Sequence, residues 1–160
     1  MQKIKFVEYN EIFLEKSWEW LNDKEIKYLT CTPDFTKEQQ KEWFLSLKGK
    51  KDYFIKGVLC NNTPIGVAGL KNITDTDGEY WGYIGEKEYW NKGIGKELIN
   101  YISHYGYILN LKEIYLKVIK DNIRAIKLYQ KMGFKKLLKE NDLIYMKLDL
   151  NNFGEKNENN

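Results

Sequence analysis

Two strand-length segments joined by a short turn constrain the fold of this chain more than any other feature. YFIKGVLC (53–60) and IGVAGLKNI (65–73) are rich in β-branched and aromatic residues, and turn-forming residues at 61–64 separate them. This pattern predicts an antiparallel hairpin. A second turn at 74–78 leads into the strand EYWGYIG (79–85), so we expect three consecutive antiparallel strands.

After residue 85 the hydrophobic pattern alternates between helices and strands. The expected elements are a helix at 96–109, a strand at 113–119, a helix at 122–132 that ends at Gly133, and strands at about 134–139 and 143–149. Antiparallel strands followed by strand, helix, strand, helix and strand predict an α/β fold with a mixed sheet.

The hydrophobic pattern of the N-terminal third predicts one strand followed by helices. The expected elements are a strand at 2–8, helices at 11–21 and 25–29, a loop at 30–34, and a helix that begins at Thr36, where Glu38 and Gln39 complete a capping pattern. The chain of 160 residues has two prolines and no Ser/Gly-rich linker. We therefore expect a single domain over residues 1–150 and a disordered tail at 151–160.

The composition excludes several classes of function. Basic residues exceed acidic ones by only +3, and Arg124 is the only arginine, so a nucleic-acid partner is not expected. One histidine and two isolated cysteines predict no metal site. The chain has no apolar run of the roughly 20 residues that a membrane span needs, and MQKIKFVEYN (1–10) lacks the long apolar stretch of a secretory signal. We therefore expect a cytoplasmic protein without a membrane partner.

The segment YWNKGIGK (89–96) predicts a phosphate-binding loop. Gly93 and Gly95 allow successive backbone N–H groups to point at one place, and the start of the next helix adds partial positive charge. Alternatively, both glycines serve only turn formation and helix packing. Gly82 and Gly85 in the preceding strand favour the first interpretation, because strand glycines mark a bulge or a close approach to the backbone.

A second group of candidate residues lies in NIRAIKLYQKMGF (122–134). Asn122 and Tyr129 are seven residues apart, so they share one face of the predicted helix. By themselves these residues fit a helix cap and a core aromatic side chain. They indicate a functional site only in combination with the glycine loop that precedes them.

Together, WNKGIGKEL (90–98) and the segment 122–134 resemble the GNAT superfamily of acetyl-coenzyme A-dependent N-acetyltransferases. The resemblance covers the chain from about Tyr53 to Leu150. It implies a mixed, largely antiparallel central sheet with a splayed strand pair and flanking helices. Trp90 stands where the superfamily commonly has Gln or Arg, which removes one side-chain contact to phosphate. Trp at this place is similar to the branch that contains ribosomal-protein, polyamine and aminosugar acetyltransferases.

The resemblance also implies where acetyl-coenzyme A binds as a co-substrate. Its pantetheine arm would pair with the backbone near Ile84 and Gly85. Its pyrophosphate would lie on the amides of the loop, which are those of Asn91, Lys92, Gly93, Ile94, Gly95 and Lys96. Asn122 and Tyr129 match the family's cofactor-contacting Asn and the Tyr beside the thioester.

Direct transfer of an acetyl group to a primary amine needs a base, an oxyanion donor and an acid for the thiolate. Tyr129 suits protonation of the thiolate, and backbone N–H groups near Gly85 suit the oxyanion. The base is Glu79 or a water held by the 30–34 loop. The superfamily's Glu matches the position of Tyr80, so Glu79 needs a bulge in the strand to reach that face.

The acceptor is expected between the N-terminal helices and the sheet, against a wall of Trp18, Tyr28, Thr30, Thr32, Trp43 and Trp81. Alternatively, these aromatic residues form a plain core, which fits Trp18 and Trp43 best. Flat rings suit a sugar or nucleobase better than a polycation, so we expect a small-molecule amine such as a nucleotide-linked aminosugar. A polyamine or a protein N-terminus is the alternative acceptor. A non-catalytic acetyl-coenzyme A sensor or interaction domain is the alternative class, and a homodimer is compatible with each of these.

Overall fold

Seven strands form one sheet in the computed structural model, which describes residues 2–151 and 153. The strands are β1 (Ile4–Glu8), β2 (Phe54–Cys60), β3 (Thr63–Lys71), β4 (Asp77–Ile84), β5 (Glu113–Ile119), β6 (Lys135–Glu140) and β7 (Leu143–Asp149). The helices are α1 (Glu11–Asn22), α2 (Lys24–Leu29), α3 (Lys37–Ser46), α4 (Ile94–Ile108) and α5 (Ile123–Lys131). None of these helices is both long enough and apolar enough to span a bilayer.

The sheet opens between two of its strands. The strand order is β1-β2-β3-β4-β5-β7-β6, and all neighbours are antiparallel except β4 and β5. These two run parallel but pair only through Asp77–Glu79 and Glu113–Tyr115. Beyond that point they separate, and we call this gap the splay. The mixed, largely antiparallel sheet with a splayed strand pair that the resemblance implied is therefore confirmed.

Each face of the sheet carries its own hydrophobic core. Helices α4 and α5 cover one face, where Ile99 and Ile102 are almost fully buried. Helices α1 to α3 cover the other face around Phe13 and Trp20. Side chains of β4 alternate between the two, so Tyr80 and Ile84 face α4 and α5, whereas Trp81 and Tyr83 face α1 to α3.

The predicted hairpin forms with a tighter turn than expected. Strand β3 already begins at Thr63, so only Asn61 and Asn62 connect it to β2. Both asparagines have positive φ, of 49° and 69°, as a two-residue turn between twisted strands requires. The predicted capping pattern at Thr36 is also confirmed, because its hydroxyl accepts from the Gln39 N–H at 3.1 Å and the Gln39 side chain accepts in return at 2.9 Å.

Several element boundaries differ from the prediction. Helix α4 begins at Ile94 rather than near residue 96, because Gly93 at φ 81° already ends the preceding loop. Asn122 caps α5 and does not belong to it. In the predicted tail, the Phe153 ring lies 6.0 Å from the Tyr107 ring. Most of that tail lies outside the described residues.

Helix α1 packs closely on β2 at Gly57, which predicts a large effect of a small substitution. A Cβ at Gly57 would lie 2.4 Å from the ring of Phe13, which is 2% exposed, so a buried ring must shift to admit it. We expect Gly57→Ala to lower the free energy of unfolding by about 1–3 kcal/mol, measured by urea denaturation. Gly49→Ala is the control, because a Cβ there has nothing within 4 Å. Equal stability of the two variants would contradict this packing.

Candidate active site

A cavity of about 920 Å³ passes through the splay and reaches both faces of the sheet. Its walls come from β4 and β5 where they separate, the loop before α4, the start of α5 and the loop after α2. The cavity therefore brings together the two motifs that carried the family resemblance, and it adds residues from the N-terminal helices.

The loop before α4 presents backbone N–H groups without side-chain caps. Asn91 and Gly93 have φ of 61° and 81°, which turn the chain sharply into α4. The first N–H groups of a helix have no acceptor within the helix. No side chain caps α4, whereas the N-cap residues Asn10, Asp23, Thr36 and Asn122 cap the other four helices. The start of α4 thus offers donors to an anion.

The two glycines of the loop serve different purposes. A Cβ at Gly93 would have nothing within 4 Å, so the space beside it is open. A Cβ at Gly95 would lie 2.7 Å from Leu128, so Gly95 allows α4 and α5 to approach each other. Gly95 therefore serves helix packing and the left-handed Gly93 serves the turn, whereas phosphate binding by the loop stays a prediction. Lys92 lies on the same loop but does not line the cavity.

Of the backbone N–H groups near Gly85 that are expected to serve the oxyanion, the one of Gly85 itself points away from the splay. Its N–H already donates to the Ile65 carbonyl at 2.7 Å, and a Cβ at Gly85 would overlap the ring of Trp20. The glycine therefore makes room for a core side chain. Successive N–H groups of a strand point to opposite sides, so the N–H of Ile84 points into the splay. The Ile84 carbonyl accepts from the Trp90 indole N–H at 2.8 Å.

Asn122 and Tyr129 both line the cavity from α5. The Asn122 side chain accepts from the Ala125 N–H at 3.3 Å and so caps the helix. The Tyr129 ring packs with its centre 6.1 Å from that of Tyr80 and 5.7 Å from that of Phe134. Burial raises the pKa of Tyr129 to about 12. The phenol therefore keeps its proton at neutral pH and can donate it.

Glu79 lies on the opposite face of the sheet from Tyr129. The pairing of β3 with β4 is unbroken from Lys71↔Glu79 to Gly66↔Ile84, so the bulge expected beside Glu79 is absent from the described strand. The carboxylate, 6% exposed, accepts from the Asn72 amide at 3.2 Å. The ammonium groups of Lys71 and Lys117 lie 3.7 and 3.9 Å away. Glu79 nevertheless lines the cavity, from the side of α1 to α3.

Charge is distributed unevenly around the cavity. Among the described residues that line it, Glu79 is the only carboxylate. The lining cations are Lys71, Lys96, Lys117 and Arg124. The described part of the chain also has no cluster of His, Cys, Asp and Glu side chains that could hold a metal ion.

The expected aromatic wall forms only in part. Thr30, Thr32, Trp43 and Trp81 line the cavity. The Trp18 ring instead packs 5.3 Å from the Phe35 ring, outside the cavity lining. Tyr28 is half exposed, and its hydroxyl donates to Asp121.

Sequence reasoning missed a hydrogen-bonded group of side chains on the side of the cavity that faces α1 to α3. The Ser17 hydroxyl accepts from Tyr9 at 3.2 Å and from Tyr83 at 3.0 Å. Strand alternation contained part of this signal, because it places Glu79, Trp81 and Tyr83 on one face of β4. The contact with α1 had no signal in the sequence.

The chain belongs to the acetyltransferase (GNAT) family, whose profile matches residues 14–134. It is 30% identical to the acetyltransferase PseH of Campylobacter jejuni over 150 residues, which are 91% of this chain and 92% of that protein. It is 32% identical over 113 residues to an uncharacterized protein of Methanocaldococcus jannaschii, matching 68% of this chain and about a quarter (23%) of that longer protein. A spermine/spermidine N(1)-acetyltransferase of Bacillus subtilis is 40% identical over 50 residues, 31% of this chain and 33% of that enzyme.

Solved structures share the fold. A domain from Methanocaldococcus jannaschii superposes with a TM-score of 0.83 at 23% identity, covering 93% of this chain and 99% of that one. Campylobacter jejuni PseH in complex with acetyl coenzyme A superposes with a TM-score of 0.69 at 24% identity, with the same coverage of 93% and 99%.

Because Tyr129 is buried, we expect its phenol to titrate at a higher pH in the folded protein than in the unfolded chain. The unfolded chain releases the phenol proton near the ordinary pKa of 10.0, whereas the folded protein holds it to about 12. The stability that Tyr129 contributes is therefore present below the unfolded pKa and is lost as the pH rises toward the folded one. The measurement is the phenolate absorbance of the parent minus that of Tyr129→Phe as the pH is raised. We expect this difference to rise with a midpoint near pH 12 in the folded protein and near pH 10.0 in urea. A folded midpoint equal to that in urea would show that the phenol is exposed.

Proposed function

We propose that this chain transfers the acetyl group of acetyl-coenzyme A directly to the primary amine of a small molecule. The observation that carries this proposal is that one cavity joins the uncapped start of α4, the phenol of Tyr129 and the carboxylate of Glu79. Membership of the acetyltransferase family supports it, as does the related fold in complex with acetyl coenzyme A. We further propose that residues 1–150 act as one domain in the cytoplasm.

The cavity offers backbone donors and cations that suit the charge of acetyl-coenzyme A. The N–H groups of Ile94, Gly95 and Lys96 and the open space beside Gly93 suit a pyrophosphate. The edge of β4 beyond its short pairing with β5 suits the amide groups of a pantetheine arm. The resulting path leads from the loop along β4 toward Tyr129.

Three residues have proposed roles in the transfer. Glu79, the one carboxylate on the described walls, takes a proton from the substrate ammonium. The amine nitrogen then forms a bond to the acetyl carbon, the carbon–sulfur bond breaks afterwards, and the surplus proton on the nitrogen leaves to restore the phenol of Tyr129. The N–H of Ile84 donates to the oxygen that carries negative charge between these events, and Tyr129 gives its proton to the sulfur.

Electrostatics favour an acceptor that is anionic or neutral over a polycation. A polyamine needs several carboxylates, whereas Glu79 is the only one on the described lining and already has two lysines within 4 Å. Trp81 lines the cavity, and its flat ring suits stacking on a sugar or a nucleobase. We propose a nucleotide-linked aminosugar, whose phosphates and flat base match lysines and aromatic rings.

The acceptor is tested by following thiol release from acetyl-coenzyme A with a panel of amines. The panel contains a nucleotide-linked aminosugar, the free aminosugar, spermidine and a peptide with a free N-terminus. We expect the nucleotide-linked aminosugar to give the highest kcat/KM, and Lys117→Gln to reduce its kcat/KM more than that of the free aminosugar. Spermidine as the best substrate would overturn the acceptor class. Tight binding of acetyl-coenzyme A without turnover of any amine would favour a sensor.

Tyr129→Phe separates the role of the phenol from that of the ring. The variant keeps the packing against Tyr80 and Phe134 and loses only the hydroxyl. General-acid help is worth about 10²–10⁴ in rate, so kcat should fall within that range. The Kd for acetyl-coenzyme A should hardly change. Tyr107→Phe on the exposed end of α4 is the control, and full turnover by Tyr129→Phe would leave protonation of the thiolate to water.

A further inference from the structure

The one arginine of the chain stands on the cavity wall without an acidic partner. Arg124 lies in the first turn of α5, two residues after the cap Asn122, and lines the cavity. No ion pair in the described part of the chain includes it. Its guanidinium carbon lies 4.3 Å from the centre of the Trp90 ring. Stacking of this kind orients a guanidinium and leaves the N–H groups at its edge free to donate.

Trp90 is itself fixed at the end of β4. Its indole N–H donates to the Ile84 carbonyl at 2.8 Å. The ammonium of Lys87 lies 5.7 Å from the ring centre and is held by Asp23 at 2.9 Å and Glu25 at 3.1 Å. The ring is therefore a fixed platform that lies directly before the loop at 91–96. Arg124 reaches the ring from α5, and both residues line the same cavity as the loop before α4.

We propose that Arg124, oriented by Trp90, donates to the pyrophosphate of acetyl-coenzyme A. A guanidinium offers paired donors that match phosphate oxygens, and the loop amides beside it supply the remaining donors. The resemblance implied that Trp90 costs the loop one side-chain contact to phosphate. In this arrangement the contact comes from α5, and Trp90 positions it. The inference rests on the proposed function, because it needs acetyl-coenzyme A in this cavity.

Three ligands distinguish a contact to the pyrophosphate from a contact to the 3′-phosphate of the co-substrate. Acetyl-coenzyme A carries both, acetyl-3′-dephospho-coenzyme A keeps only the pyrophosphate, and acetyl-pantetheine carries neither. Their Kd values are measured by titration calorimetry with the parent, Arg124→Gln and Arg124→Lys. We expect Arg124→Gln to weaken the first two ligands by the same factor, roughly tenfold, and to leave acetyl-pantetheine unchanged. Arg124→Lys should recover only part of the loss, because it keeps the charge without the paired donors.

Lys127→Gln is the matched control, because it removes the same charge from the same helix at an exposed position outside the cavity. We expect it to change each Kd by less than about twofold. Trp90→Leu tests the positioning role. In the parent background it should raise the Kd of the two ligands that carry the pyrophosphate. In the Arg124→Gln background it should raise these Kd values little further, because no guanidinium is left for the Trp90 ring to orient.

Each other result overturns a defined part of the inference. Equal weakening of all three ligands by Arg124→Gln would make Arg124 a structural residue. If Arg124→Gln weakens the binding of acetyl-coenzyme A alone, Arg124 contacts the 3′-phosphate and not the pyrophosphate. Unchanged binding of every ligand would remove its role altogether. These outcomes differ from failure of the proposed function, in which the parent itself does not bind acetyl-coenzyme A.

Discussion

The early separation of β4 from β5 is the constraint on which the rest of this molecule depends. Parallel neighbours ordinarily satisfy each other's backbone groups along their length, and a buried N–H or C=O without a partner is costly. Here the pairing stops at Glu79 and Tyr115. The Trp90 indole satisfies one exposed carbonyl, that of Ile84. The remaining edge favours a ligand that carries amides of its own, so the gap sets both the place and the kind of ligand.

Strand alternation at the splay then divides the chemistry between the two faces. Glu79 and Tyr80 are consecutive, yet Glu79 lies among lysines on the side of α1 to α3 and Tyr80 packs against Tyr129 on the side of α5. In the proposed transfer, the group that accepts a proton and the group that donates one therefore act from opposite faces of the sheet. The two do not compete for the same space, because the sheet stands between them.

Much of the fold followed from the sequence because its signals are local. Turn residues and hydrophobic periodicity located the strands and helices, and the two motifs located the loop and α5. Contacts across the sheet had no such signal. Gly85 shows the reason, since a glycine that admits a ligand and one that admits the Trp20 ring look alike in sequence. The stacking of Arg124 on Trp90 joins residues 34 positions apart and depends on how far the sheet opens.

The missing cap of α4 links ligand binding to the stability of the fold. The first N–H groups of this helix of 15 residues have no side-chain cap among the described residues, so an external acceptor can satisfy them. An anion bound there completes the helix as a capping side chain would. By mass action, a ligand at a hundred times its Kd adds about 2.7 kcal/mol to the stability of the folded state. The supply of that anion in the cell would then help to set how long the folded protein persists.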